Sequence, residues 1–492
     1  MGTTVLISFL TNSINTRMLA SYAKQNGHDV ICIFCPDLPT RKNTDALLGF
    51  LKNKRISLVG ISLVTDNYRA ACMLTKSIKS ELSIPIIWGG AHVNVMPGEC
   101  LRHADMVCVG EGEEAFLDLL NSISRNGEPD TSIKNIWFNT PDGIIKNEIR
   151  PLEENLDKYP YPDFDFENQF VMNATGLEPI GEKHFSDEYS IITSRGCPYR
   201  CKYCYNSYRW KQYEGKGRYL RTRSIENVID ELEIAKKLFP KLKKINFWDD
   251  SFVARKTEDF VKFKNLYLEK INLPFFALIE PMAFKFDKIK ILKECGLCSL
   301  QVGIQSGSER VNRDVYNRAV PNVKNIEVAR QINSLGIDVT YDLIFNNPYE
   351  FKSDIKETID LFLQFPRPFW LQGFNLIFYP GTELTDRAVQ DGYIAAKNDE
   401  EDYSTIQDKS NSPISMGGGG KLSERFYAIK YNSDEKEYLN SVLSLIAYRH
   451  IPAPIIRYFA ASENALKRMQ LRLFVGAYIG ISKIKNRLLH PQ

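Results

Sequence analysis

The sequence predicts an α/β protein made of two parallel-sheet domains in series, a doubly wound sheet followed by a partial (β/α)6 barrel, with a helical C-terminal region. Three observations carry this. At 492 residues the chain exceeds the ~250–300 residues at which a single hydrophobic core stops growing. Short apolar runs alternate with helix-length amphipathic stretches in two separate series, one ending near residue 130 and one starting near 188. From about residue 421 onward the apolar spacing is helical throughout.

Composition sets the class. Hydrophobic residues make up 43% and charged residues 25%, as in an ordinary globular chain. A net charge of +3 gives no field that would favour nucleic acid, so no nucleic-acid partner is expected. The apolar run at 473–481 is nine residues, about half of the ~20 that cross a bilayer. The amino terminus, MGTTVLISFLTNS, lacks the basic region of a signal peptide and reads straight into a strand, so a cytoplasmic location is expected. Ten cysteines in a chain of this length are no disulfide framework, and a reducing compartment leaves their thiols free for metal.

The first series spans residues 1–130. Val5–Phe9, Val30–Phe34, Leu58–Leu63, Ile84–Trp88 and Met106–Val109 read as buried parallel strands, with crossover helices between them. A ligand belongs beyond their carboxyl ends, where SLVTDNYR, GGAH and GEGE stand. From 131 to 187 periodicity weakens and proline, aspartate and aromatics rise, which reads as a linker. The second series spans 188–395, with strands expected at Tyr189–Thr193, Ile245–Trp248, Phe275–Ile279, Ser299–Ile304, Val339–Phe345 and Phe374–Phe378. Residues 396–420, acidic, then Ser-rich, then four glycines, read as a flexible linker. Residues 421–492 form a basic helical region that from Arg449 holds eight Lys or Arg against Glu463 alone. Its apolar stretches give two readings: a cap packed on the barrel, or a peripheral membrane contact.

Cys197, Cys201 and Cys204 stand as CxxxCxxC directly after a predicted strand, so one loop carries all three. Three thiolates suit a soft-metal site, and a [4Fe-4S] cluster held by three cysteines leaves one iron open to a small molecule. The competing readings are structural zinc and plain buried cysteines. Zinc needs a fourth ligand, and His184, the nearby histidine, has no partner at the usual spacing. Cys295 and Cys298 form a CxxC at the start of a predicted strand, where packing is the expected role.

RGCPYRCKYCYN resembles the radical S-adenosylmethionine (SAM) enzymes, and the resemblance continues through NFWDDSF (246–252), VGIQSGSERV (302–311), DLIFNNPYE (342–350) and YPGTEL (379–384). It covers 188 to about 392 and implies a TIM-type partial barrel in which SAM chelates the open iron and is reductively cleaved to a 5'-deoxyadenosyl radical. It also implies Tyr203 near the adenine, Gln305 and Ser306 near the ribose, Asp249 or Asp250 near the methionine end, and an electron donor such as flavodoxin or ferredoxin. Two departures stand out: Gln305 where many relatives carry Glu, and Asn346 and Asn347 where glycine is usual.

The first domain lacks GxGxxG after its first strand, which argues against a dinucleotide. LVGISLVTDNYRAA, PIIWGGAHVNVMP and VCVGEGEEAF resemble, in order, the segments of a Rossmann-like cobalamin-binding domain. That resemblance implies corrin contacts from Ser62 and Thr65, with Gly89, Gly90 and Gly110 making room. DxHxxG, the motif that supplies a cobalt-ligating histidine, is absent, and His92 reads as structural. The expectation is a cobalamin-dependent radical SAM C-methyltransferase of unknown substrate. The alternatives are a cyclase or oxidoreductase without methyl transfer, a tRNA methylthiolating enzyme, which the cysteine pattern and helical tail do not match, and a non-catalytic cobalamin or iron–sulfur sensor.

Overall fold

The computed structural model describes residues 2–11, 13–394, 414–416, 434–447 and 451–461, together with positions 467, 470, 471 and 474. The first sheet is built on β1 (Thr3–Ser8), β2 (Val30–Phe34), β3 (Ile56–Ser62), β4 (Ile86–Gly89) and β5 (Met106–Cys108), all parallel. These runs are almost wholly apolar because both faces are covered. Val5, Ile7, Ile33, Val59 and Trp88 pack on one side, and Leu6, Cys32, Phe34, Leu58 and Phe116 on the other.

The expected linker instead completes this sheet. β6 (Ile136–Thr140) and β7 (Gly143–Lys146) form a hairpin antiparallel to β5, while β8 (Gln169–Asn173) pairs parallel with β2 and leads into β9 (Gly176–Pro179). The sheet order is β7-β6-β5-β4-β3-β1-β2-β8-β9. Both edges of the parallel core are therefore paired, which a bare five-strand sheet would leave open. The half-polar composition that hid these strands is what edge strands carry.

The second sheet runs β10 (Glu188–Ile191), β13 (Lys244–Phe247), β14 (Phe275–Ile279), β15 (Leu297–Gln305), β16 (Asp338–Phe345) and β17 (Trp370–Asn375), in chain order and all parallel. Between the first two lie β11 (Ser194–Arg195) and β12 (Arg221–Thr222), a separate antiparallel pair that straps the cysteine loop. The sixth parallel strand was expected at Phe374–Phe378 and is found at Trp370–Asn375. The apolar side chains that drew the expectation forward, Leu376 and Phe378, pack in a side cluster with Tyr316 and Tyr349.

β18 (Ile414–Met416), within the segment expected as a flexible linker, adds antiparallel to β17; the remainder of 396–420 lies outside the described residues. Helices Asp434–Ser444 and Ala453–Ala461 bury Tyr438, Leu439, Val442, Leu443, Ile456 and Phe459 in the barrel's own core. This described part of the tail is a cap, and most of the basic stretch beyond it lies outside the described residues. No helix among the described residues is long and apolar enough to cross a membrane. Cys295 is buried and Cys298 donates to the Phe275 carbonyl at 3.2 Å, so the CxxC is packed into the barrel wall.

Candidate functional site

The three cysteines occupy the loop between β11 and the helix Tyr205–Gln212, which Cys204 caps. Cys197 and Cys201 are buried, Cys204 is half-buried, and all three are free thiols. The loop is held by its backbone. Trp210 Nε1 donates to the Cys197 carbonyl at 2.9 Å, the Cys204 N–H to the Cys201 carbonyl at 3.0 Å, and the Lys202 N–H to the Tyr316 carbonyl at 3.0 Å. Gly196 sits at φ +86°, and a Cβ there would stand 2.5 Å from the Tyr219 carbonyl, so glycine is required to let the strap close.

Among the described residues no three His, Cys, Asp or Glu side chains converge as ligands of a single metal ion. A zinc ion would draw three thiolates to ~2.3 Å from one point, whereas a cubane cluster gives each cysteine its own iron and keeps the sulfurs apart. The donor set fits the cluster by its chemistry: one loop carries three free cysteines, one thiolate for each of three irons. Burial pushes the Cys204 thiol up to about 12, so a bound cluster would have to supply the positive charge that holds it as thiolate.

Around this loop the barrel gathers further polar groups, of which Arg318 and Glu280 lie outside the motifs. The guanidinium of Arg318, buried, donates to Cys201 Sγ at 3.5 Å and to the Gly303 carbonyl at 2.7 Å. Glu280, at the end of β14, accepts from Ser251 at 3.0 Å, and desolvation raises its carboxyl to about 7 against the pull of Arg318. Asp342 accepts from Gln301 at 2.8 and 3.0 Å and is likewise raised by burial to about 7. A cation and a carboxyl beside the cluster loop complement the α-carboxylate and α-amino group of an amino-acid ligand such as SAM. The signal that could have found them was strand-end position: Glu280 ends a strand, and Arg318 follows the VGIQSGSERV segment.

The residues expected at SAM take unequal positions. Tyr203 packs edge-on against Tyr316, with ring centroids 5.0 Å apart. Gln305 ends β15 with φ +68° and is half-buried. Ser306 is buried behind it, its hydroxyl donating to Glu350 at 2.9 Å. Asp249 is buried too: its Oδ1 accepts from the Thr193 N–H and hydroxyl, each at 2.9 Å, and from the Ser194 hydroxyl. It anchors the start of the cysteine loop, while Asp250 turns outward onto a cavity wall. Asn346 takes φ +60°, the left-handed position at which glycine is usual.

That cavity, of about 460 Å³, lies between the two sheets. Gly60, Ser62, Gly89, Gly90, Gly110 and Gly112 line it from the strand ends of the first domain; Gly196, Tyr205, Asn206, Trp248 and Asp250 line it from the barrel. The glycines differ in what they do. Gly90 and Gly110 have φ +105° and +106°, and a Cβ would meet the Leu63 carbonyl or Asn135 Nδ2 at 2.3 Å, so their bareness serves the chain's own packing. At Gly89 a Cβ would find only Cys108 at 3.9 Å, so this glycine keeps the cavity open. Thr65 pairs with His92 Nδ1 at 3.2 Å, and His92 is fully buried against Tyr68. Among the described residues, none of those lining the cavity is a histidine.

Residues 191–362 match the Radical SAM superfamily, and residues 4–120 match the B12 binding domain. The chain is a radical SAM enzyme with a B12-binding domain. It is 27% identical over 354 residues to an uncharacterized methyltransferase of Pyrococcus horikoshii, covering 71% of this chain and 72% of that one. It is 23% identical over 343 residues to the cytidylyl-2-hydroxyethylphosphonate methyltransferase of Streptomyces wedmorensis, covering 62% of this chain and 60% of that one. It is also 23% identical over 292 residues to an anaerobic magnesium-protoporphyrin IX monomethyl ester cyclase of Cereibacter sphaeroides, covering 55% of this chain and 43% of that one. The radical SAM methyltransferase TsrM from Kitasatospora setae, solved with cobalamin and a [4Fe-4S] cluster, superposes with a TM-score of 0.63 at 16% identity, covering 81% and 80% of the two chains. At that identity the likeness is one of fold. In this radical SAM enzyme the cavity is thus the space between the B12-binding domain and the cluster loop.

Proposed function

We propose that the chain is a cobalamin-dependent radical SAM methyltransferase acting at carbon. One observation carries the reading: a single cavity is walled on one side by the B12-binding strand ends and on the other by the loop that holds the cysteines. Bound, the cluster with SAM supplies one-electron bond cleavage, and cobalamin supplies a methyl carrier.

The chain's own residues then bind and orient. Cys197, Cys201 and Cys204 hold the cluster. Arg318 and Glu280 would meet the two charged ends of the methionine moiety; Asp249 engages Thr193 and Ser194 through Oδ1 alone, and its buried Oδ2 has no hydrogen-bond partner among the described residues. Gln305, amide rather than carboxylate, meets a ribose hydroxyl without adding charge. Ser62 and Gly89 face the corrin, and Trp248 and Asp250 face the substrate. The surrounding apolar walls, Leu6, Ile61, Ile87 and Ile192, exclude water from the reacting groups. An external one-electron donor of the flavodoxin or ferredoxin type completes the cycle.

Anaerobic reconstitution with iron, sulfide and hydroxocobalamin tests this. The expected result is one cluster and one cobalamin per chain by their spectra, with deoxyadenosine released from SAM on reduction. A second reading, oxidative cyclisation without methyl transfer, is favoured by the likeness to the cyclase of Cereibacter sphaeroides. Product mass separates the two, because methylation adds one methylene and cyclisation does not.

A further inference from the structure

Two residues before Cys197, Arg195 donates from one guanidinium nitrogen to Glu111 at 3.1 Å and from the other to Glu113 at 2.5 Å, with its Cζ 5.3 Å from the centroid of the Tyr159 ring. Arg221, on the strand paired with Arg195, forks onto both oxygens of Glu111 at 2.5 and 3.1 Å and also reaches the Glu153 carbonyl at 2.8 Å. The Glu111 N–H donates to the Tyr213 hydroxyl at 2.7 Å. Alongside, Asn94 Oδ1 accepts from the Gly110 N–H at 2.6 Å and from Arg209 at 2.9 Å, and the Asn94 carbonyl accepts the Tyr208 hydroxyl at 2.7 Å. Asn94, Gly110, Glu111 and Glu113 all follow strands of the B12-binding sheet. Arg195, Arg221, Tyr208, Arg209 and Tyr213 all belong to the cysteine loop, its paired strand, or the helix and turn that follow.

Arg221 is almost wholly buried, with a side-chain exposure of 1%, and Glu111 has 18%. For ion pairs so sheltered, desolvation roughly offsets attraction, so net stability is a weak reason for them. What a forked guanidinium–carboxylate contact supplies is a fixed angle and register. We infer that Glu111 and Arg221 are positioning residues that, through Arg195, set the separation between the cluster loop and the cobalamin-facing strand ends. The inference rests on the two-cofactor reading above. Its consequence is kinetic, because a displacement of about 1 Å between reacting groups costs on the order of 100-fold in rate.

The test uses the holoenzyme with cobalamin as cob(II)alamin and the cluster reduced, two paramagnets whose dipolar coupling in pulsed electron paramagnetic resonance reports their separation. In the native chain the distance distribution is narrow. In Glu111→Ala it broadens and shifts to longer distance. Arg221→Lys, which keeps the charge and loses the fork, broadens it less, and this variant carries the test should Glu111→Ala fail to fold. An unchanged distribution in both variants, even with a lowered melting temperature, overturns the clamp and leaves a merely structural contact. A native holoenzyme that shows only one of the two signals overturns the two-cofactor reading and the clamp with it.

Discussion

At the residue scale, function is concentrated in side chains whose chemistry has few substitutes. Replacing Cys197, Cys201 and Cys204 together by Ala removes every thiolate of the loop, and Arg318, its polar neighbour, offers no metal ligand. The expected outcome is loss of the cluster absorption and of all deoxyadenosine formation, read by visible spectra and chromatography. The glycines make a sharper comparison. Gly90→Ala forces a Cβ against the Leu63 carbonyl at φ +105° and should cost roughly 1–3 kcal/mol in urea unfolding. Gly89→Ala meets no backbone atom within van der Waals reach, so it should leave stability near native while weakening hydroxocobalamin binding by titration. Glu350, buried under Ser306, has its carboxyl raised by desolvation to about 7. A raised carboxyl gives stability that is complete below its ordinary pKa of 4.5 and is lost as pH rises through about 7. Glu350→Gln should therefore match the native protein in acid and exceed it at pH 8, read as a difference between thermal melts. The cysteines and the glycine-rich strand ends were legible in the sequence because spacing alone marks them. Arg318 and Glu280 were not, since the one signal they carry, a place just after a strand or a motif, is shared with many residues that serve no site.

At the element scale, the parallel strands declared themselves because each is buried on both faces and so is apolar along its length, as VICIF and LVGI illustrate. Strands β6 to β9 did not, because they pair at the flanks and alternate with polar residues such as Asn139, Lys146 and Asn173. Their roles predict the behaviour of fragments. A chain ending at Asp130 would expose the free edges of β2 and β5 and should aggregate, whereas one ending at Asp187 keeps both edges paired and should stay monomeric by size-exclusion chromatography. The tail offers a second test. Val442, Leu443 and Ile446 sit in the barrel core, so ending the chain at Lys421 uncovers that apolar surface. The expected result is a lowered melting temperature and precipitation, with no difference in sedimentation with anionic liposomes that is specific to lipid charge.

At the scale of the whole molecule, the relation between the domains decides what either can do. Glu111 lies where they meet, and Arg195 and Arg221 hold its carboxyl down to about 2 against the desolvation that would raise it. A depressed carboxyl gives stability that is complete above its ordinary value of 4.5 and is lost as pH falls through about 2. Glu111→Gln should thus be less stable than the native chain at pH 7, by roughly 3 kcal/mol at most, with the gap closing in acid; denaturant melts at several pH values check it. The sequence by itself determined the two α/β series, the cysteine loop and the order of the motifs, because burial period and residue spacing are properties of short segments. Only the tertiary structure decided that Asp249 anchors the cysteine loop while Asp250 faces the cavity, that Gly110 yields to Asn135 and Tyr213, and that residues 131–187 finish the first sheet. Each of those outcomes depends on partners far away along the chain, and distance in sequence carries no record of proximity in space.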